Sequence, residues 1–235
     1  MIGIIIVVYN LSDLIRFQVE CIKQFCKDEF EIIVIDNSDK EGYPEAIKYH
    51  STAMGCKYIK TNSASSNGSE SHTFACNLAY TKFKDTYQYI LYLDHDNFPI
   101  KDFSVKQILT DKIIGGLGQG DKHPYFWAGC VMFDNFNIDK KLIDFSPNHD
   151  LKLDTGGNLF KVVENYGLDK CVFFNEVHHQ NPHFNKSFYN FYSMINDGMF
   201  MHFVNASNWN NSEDHTERIN SLINILQEKV NKNDK

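Results

Sequence analysis

The stretch IGIIIVVYNLSDLIRFQVECIKQFCKDEFEIIVIDNSD, residues 2–39, decides how the rest of the chain is read. Ile2 to Val8 is apolar, mostly β-branched, and stops at Tyr9-Asn10. An uninterrupted run of this kind fits a strand buried on both faces. Ser12-Asp13 then offers a helix cap, and Leu14, Phe17, Cys21, Ile22 and Phe25 recur at helical spacing up to about Lys27. Glu31 to Ile35 is a second buried-strand pattern, halted by Asp36-Asn37-Ser38-Asp39. Strand, helix and strand in quick succession predict a parallel βαβ unit.

Outward from this unit the pattern continues. A helix is expected from Pro44 to Met54, a short strand from Lys57 to Lys60, and a Ser-, Asn- and Gly-rich loop over 61–71. Thr73 to Phe83 reads as helix. Tyr87 to Leu93 reads as a third strong strand, running into Asp94-His95-Asp96-Asn97-Phe98-Pro99. A helix near Phe103 to Thr110, a strand near Ile113 to Leu117 and a core strand from Phe126 to Phe133 follow. Gly115, Gly116, Gly118 and Gly120 punctuate a turn region. Later the chain is less regular: a helix from Leu159 to Tyr166, a polar loop at His178 to Pro182 and a short strand from Met199 to Val204. A last amphipathic helix runs from about Ser212 to Val230, with Ile219, Leu222, Ile223, Leu226 and Val230 as its stripe. With no repeat and no linker, the expectation is one α/β domain over 1–235, a mostly parallel central sheet flanked by helices.

Composition agrees with a folded chain. Of 235 residues, 43% are hydrophobic and 23% charged, which excludes extensive disorder. The net charge of -7 and the lack of a basic run give no electrostatic footprint for nucleic acid. The apolar opening is far short of the roughly 20 residues of a membrane span, and no basic n-region precedes it. The cysteines (Cys21, Cys26, Cys56, Cys76, Cys130, Cys171) include no Cys-x-x-Cys pair, so a reducing, cytoplasmic setting is expected.

In an open α/β sheet, ligands bind beyond the carboxyl ends of the strands. Here the strong strands end at Asn10, at Asp36-Asn37 and at Asp94-His95-Asp96. Asp94 and Asp96 share a face if strand geometry persists, and two close carboxylates favour a hard cation such as Mg²⁺ or Mn²⁺ between them. The plain alternative is turn chemistry after a strand. Asp36 can accept hydrogen bonds from a base or ribose, or simply cap a turn. His178, His179 and His183 match no standard zinc spacing and read as a solvated loop. No Walker loop or nucleophile elbow is present. Phe184, Phe188, Tyr189, Phe191 and Tyr192 offer stacking on sugars, or burial against the sheet or a second copy of the chain.

Taken together, Tyr9-Asn10, Val34-Ile35-Asp36-Asn37-Ser38, the segment Ser71 to Ala79 with Asn77, and Leu93-Asp94-His95-Asp96 resemble a family 2 glycosyltransferase of the GT-A (Rossmann-like) fold. The resemblance is good over residues 2–100 and weaker beyond. It implies a nucleotide-sugar-binding half (1–100), a metal and acceptor half (101–211) and a C-terminal helix (212–235). It further implies donor contacts from Val8, Tyr9, Asn10, Asp36, Asn37, Asn77, Asp94, His95, Trp127, Ser207 and Asn208. Mn²⁺ or Mg²⁺ would be held by Asp94, Asp96 and His202. Trp127-Ala128-Gly129-Cys130 resembles the strand lining the donor sugar, and Trp209 either closes over the site or packs. Asp154 stands where the family places its catalytic acid, although Leu153-Asp154 replaces the usual Glu-Asp pair; Asp144, Asp150 and Glu164 are its rivals. The implied activity is inverting transfer from a nucleotide-diphosphate sugar, UDP-sugar favoured, to a glycan, lipid-linked sugar or other hydroxyl acceptor. A homodimer through the last helix is compatible with the pattern. Two other readings remain: a nucleotidyltransferase, which needs a Gly-rich triphosphate loop that Tyr9 to Asp13 lacks, and a non-catalytic carbohydrate-binding scaffold.

Overall fold

The computed structural model describes residues 1–62, 68–181, 183, 191–206 and 214–232. The opening βαβ unit is present as β1 (Ile2–Val8), α1 (Asp13–Phe25) and β2 (Phe30–Asp36). Then come α2 (Tyr43–Ala53), β3 (Lys57–Lys60), α3 (Gly68–Phe83) and β4 (Tyr89–Asp94). The second half contains β5 (Asn97–Pro99), α4 (Val105–Ile108), β6 (Ile114–Gln119), β7 (Tyr125–Asp134), α5 (Phe160–Tyr166) and β8 (Cys171–Phe174). It ends with β9 (Glu176–His179), β10 (Tyr192–Ile195), β11 (Phe200–His202) and α6 (His215–Lys232).

The central sheet has the order β3-β2-β1-β4-β7-β6-β8. Every pairing is parallel except the two made by β7. Alternation along β1 shows how the sheet is covered. Ile2, Ile4, Ile6 and Val8 pack towards Leu14, Val19 and Ile22 of α1, while Ile5 and Val7 pack with Ala75 and Ala79 of α3. Both faces of β1 are therefore dry, and each such side chain contributes about 1.5–3 kcal/mol by leaving water. Among the described residues no helix is long and apolar enough to cross a membrane.

Three expectations change. Residues 115–120 are not simply a turn: Gly115 to Gly118 lie within β6. At Gly116 (φ +154) a Cβ would sit 2.3 Å from the Cys130 carbonyl oxygen, so only glycine lets β6 close on β7. His178 and His179 are not loop but belong to edge strand β9. Helix α3 begins at Gly68, inside the stretch expected as loop. Of a second, antiparallel sheet, β5-β11-β10-β9, only β11 answers to an expected strand, Met199 to Val204; the sheet itself lies outside the sequence expectation.

Candidate active site at the strand ends

Register brings the three strand ends together. Val8 of β1 lies opposite Asp36 of β2, and Val7 lies opposite Asp94 of β4. Asp36 and Asp94 therefore flank the end of β1, about 10 Å apart at two strand spacings.

On the β2 side the turns are laced to each other. Asn10 adopts a left-handed backbone (φ 47). Its side chain donates to Asp39 Oδ1 (2.7 Å) and accepts from the Asp39 and Lys40 amides (3.2 Å each). The Tyr9 hydroxyl donates to Asp39 Oδ2 at 3.1 Å. Asn37 donates to Ser71 Oγ and accepts from Thr61 Oγ1. Asp36 is wholly buried, and its two oxygens accept from the Ser38 amide (2.8 Å) and the Tyr58 hydroxyl (2.6 Å). Asp36, expected to contact the donor, thus has both oxygens engaged by internal donors, and Asp39 is the exposed acid of this turn. Nothing in the residue types marked Asp39 over Asp36. Its exposure follows from the chain turning after Ser38.

On the β4 side the strand stops at Asp94, so Asp94 and Asp96 do not share a strand face. The turn is pinned by Gln18 of α1, fully buried, which donates to the Asp94 and Asn97 carbonyls at 2.6 and 2.7 Å. Asp94 Oδ1 meets His72 Nε2 of α3 at 2.7 Å. Burial disfavours both charges, but the pairing outweighs it, holding His72 well above the imidazole range and Asp94 below the carboxylate range. Asp96 faces the small sheet. Pairing of β11 with β5 sets His202 opposite Asn97, which brings His202 Nε2 to 3.8 Å from Asp96 Oδ1. Behind His202, Ser193 Oγ lies 3.3 Å and Glu176 Oε1 4.0 Å from Nδ1, while the Trp127 ring lies 4.8 Å away. His72, Gln18, Ser193 and Glu176 were not singled out in the sequence, because helix and edge-strand residues carry no local mark of a distant partner.

A cation fits this donor set on one observation in particular. Asp96 Oδ1 is buried and accepts no hydrogen bond, a costly state unless a positive partner arrives. Two carboxylates and an imidazole also suit Mn²⁺ or Mg²⁺. The side chains are not already closed into a metal cluster: among the described residues no three of His, Cys, Asp and Glu converge in that way.

Asp154 lies beside the same helix. Ser69, one turn before His72 on α3, donates to Asp154 Oδ1 at 2.8 Å, as does the Thr155 amide. Asp154 lines a cavity of about 390 Å³ with Ser69, Glu70, Pro147, His149, Lys152 and Leu153. Its rival Asp144 is engaged by Asn77, Ser146 and Asn158.

The other residues expected at the donor take internal partners. Val8 packs its side chain into the core. Asn77 braces the 144–145 segment, donating to Asp144 and accepting from the Phe145 amide. His95 is buried, with Nδ1 against the Val7 carbonyl at 3.2 Å. Ser207, Asn208 and Trp209, with Phe184, Phe188 and Tyr189, lie outside the described residues.

Comparison with known proteins agrees with this geometry. Residues 3–111 match the sequence model of Glycosyl transferase family 2. Among solved structures, a mannosyltransferase from Pyrobaculum calidifontis in complex with GDP-Man and Mn²⁺ superimposes with a TM-score of 0.52 at 14% identity, over 73% of this chain and 54% of that one. Glucosyl-3-phosphoglycerate synthase from Mycobacterium tuberculosis, in complex with phosphoglyceric acid, gives 0.50 at 13% identity, over 74% and 68%. At such identities the likeness establishes the fold, which is GT-A. The chain spans about half the length of the first of these structures. No curated protein sequence matches it.

Proposed function

We propose that the chain is a divalent-metal-dependent glycosyltransferase that moves a sugar from a nucleotide diphosphate to an acceptor hydroxyl with inversion. The family match over residues 3–111 and the GT-A fold support glycosyl transfer in general. The observation that carries the finer reading is the buried, unsatisfied Asp96 Oδ1 facing His202, with Asp94 two residues earlier at the strand end. Asp94, Asp96 and His202 would hold Mn²⁺ or Mg²⁺, which supplies charge neutralisation at the leaving diphosphate.

The remaining work falls to the chain. His72 holds one Asp94 oxygen, leaving Oδ2 without a hydrogen bond among the described residues. Trp127 and Ser193 fix the His202 ring from either side. The Tyr9-Asn10-Asp39 lacing presents a polar platform for the nucleoside, with UDP favoured. Asp154, in the lining of its cavity, takes the acceptor hydroxyl's proton. A single base with in-line attack gives inversion. A reducing, cytoplasmic setting is part of the proposal, supported by six cysteines that are all free and buried.

Calorimetry tests the reading. UDP and GDP are titrated with and without Mn²⁺ into the wild type and Asp96→Asn. Binding is expected to depend on Mn²⁺ and to weaken at least tenfold in the variant, and turnover to fall by about 2 to 4 orders of magnitude. Equal Mn²⁺-dependent affinity in the two proteins would refute the assignment and favour a scaffold.

A further inference from the structure

The chain has two arginines. Arg16 is exposed and pairs with Glu20 on its own helix. Arg218, in the first turn of α6, is only 5% exposed. Its guanidinium makes one hydrogen bond among the described residues, from Nη2 to the Asn205 carbonyl at 2.7 Å, and no ion pair. A guanidinium has five N–H donors in a rigid fork and cannot shed its charge. Among the described residues one carbonyl uses one of those donors, and Asp214 and Asp96 act on the charge without an ion pair, so the fork keeps donors that an anion can take.

The location indicates which anion. Asn205 belongs to the turn that follows His202. In that turn the Phe203 amide donates to the Asp96 carbonyl at 2.8 Å, and His215 Nε2 lies 2.6 Å from the Ala206 carbonyl. The start of α6 is thereby clasped to the segment carrying His202 and tied to Asp96. Burial pushes the Arg218 pKa down, and the charges of Asp214 and Asp96 push it up again, so the Asp96 carboxylate is within its electrostatic reach. The two are nevertheless not paired with each other: Asp96 Oδ1 is left unsatisfied as well.

We propose that Arg218 binds a phosphate oxygen of the donor's diphosphate, so that the terminal helix contributes a fixed positive charge to the site. Its planar fork suits a two-oxygen grip on phosphate. This rests on the nucleotide-diphosphate reading above. It makes a claim of its own, that part of the diphosphate affinity survives without a divalent cation.

Inorganic pyrophosphate and UDP, titrated in EDTA, are the probes. Wild type is expected to bind both. Arg218→Met should lose at least tenfold in affinity for each and abolish the pyrophosphate-induced rise in melting temperature, while Arg218→Lys should retain an intermediate affinity. If Arg218→Met fails to fold, Arg218→Lys decides alone, with at least a threefold loss expected. Unchanged pyrophosphate affinity in a folded variant, even with a lowered melting temperature, identifies Arg218 as a brace and overturns the proposal. So does a wild type that does not bind pyrophosphate in EDTA. Asp96→Asn separates the two readings: it should keep or improve pyrophosphate binding in EDTA while losing the Mn²⁺-dependent component. Persistence of that component sinks the cation assignment without touching Arg218.

Discussion

Gly129 offers a severe single-atom test of the site. A methyl there would lie 2.3 and 2.5 Å from Trp127 Cζ2 and Cη2 and 2.6 Å from Asp94 Oδ2. Ordinary contact begins near 3.4 Å, so the overlap with the carboxylate is roughly 0.8 Å, the difference between 3.4 and 2.6. Trp127 is half-buried and rests on the His202 ring. Asp94 is held in place, because His72 holds Oδ1 at 2.7 Å and Gln18 holds its carbonyl at 2.6 Å. Gly129→Ala must therefore move the carboxylate or strain the strand. Overpacking of this kind costs about 1–3 kcal/mol. Misplacing a reacting group by about 1 Å costs up to about a hundredfold in rate. We expect Gly129→Ala to lower Mn²⁺-dependent nucleotide affinity and to cut sugar release from nucleotide sugars by about 10- to 100-fold. Calorimetry and coupled detection of the freed nucleoside diphosphate read both. Gly118→Ala is the control: the nearest atoms its methyl meets belong to the Phe173 ring, the first at 2.5 Å. It should lower stability and leave the Mn²⁺ dependence intact. A Gly129→Ala enzyme with wild-type affinity and rate refutes the claim that Asp94 is locked in a working position.

Three further outcomes are expected. Asp154→Asn keeps an acceptor for the Ser69 and Thr155 bonds, so nucleotide affinity should hold while transfer disappears; lost affinity instead would take Asp154 out of the base role. Tyr58→Phe strips one donor from the buried Asp36 carboxylate and should cost about 1–3 kcal/mol in denaturant unfolding; an unchanged midpoint contradicts the view that Asp36 is a structural acid. Burial pushes the Asp144 carboxyl up, but hydrogen bonds from Ser146, Asn158 and Asn77 outweigh it and hold it below the ordinary range. A depressed carboxyl stabilises the fold above the unfolded pKa near 3.9, and that stability drains as pH falls through the lower folded value. Melting temperature should therefore drop more steeply below about pH 4 in wild type than in Asp144→Asn; parallel acid limbs would contradict this.

The parts of the fold that were legible are those whose signal is local. Ile2–Val8 and the stretch Ile32 to Ile35 of β2 are buried on both faces, so their letters are apolar without a break. The helix between them carries its stripe in its own thirteen residues. Strand ends rich in Asn and Asp announce where a parallel sheet meets its ligand, and Asp94 and Asp96 stood out for that reason. Of the small sheet only β11 was legible, as the expected strand from Met199 to Val204. Its strands are three or four residues long, and β5 meets β11 about a hundred positions later, too little sequence to show a period. The glycines of β6 misled in the same way, since they answer to the Cys130 backbone of another strand and not to a turn.

The site divides along that line. Residue order alone placed carboxylates at the ends of strands, because alternation and burial are properties of a segment and its neighbours. Which of those acids is exposed, and what holds each one, came from contacts between distant segments. Asp36 is consumed by Tyr58, 22 positions on. Asp94 is gripped by His72, and its carbonyl by Gln18, 76 positions away. His202 reaches Asp96 only through strand pairing, and Arg218 reaches the same turn from the last helix. Such partners are selected by the geometry of packing, a global minimum over the whole chain that leaves no mark at either residue alone.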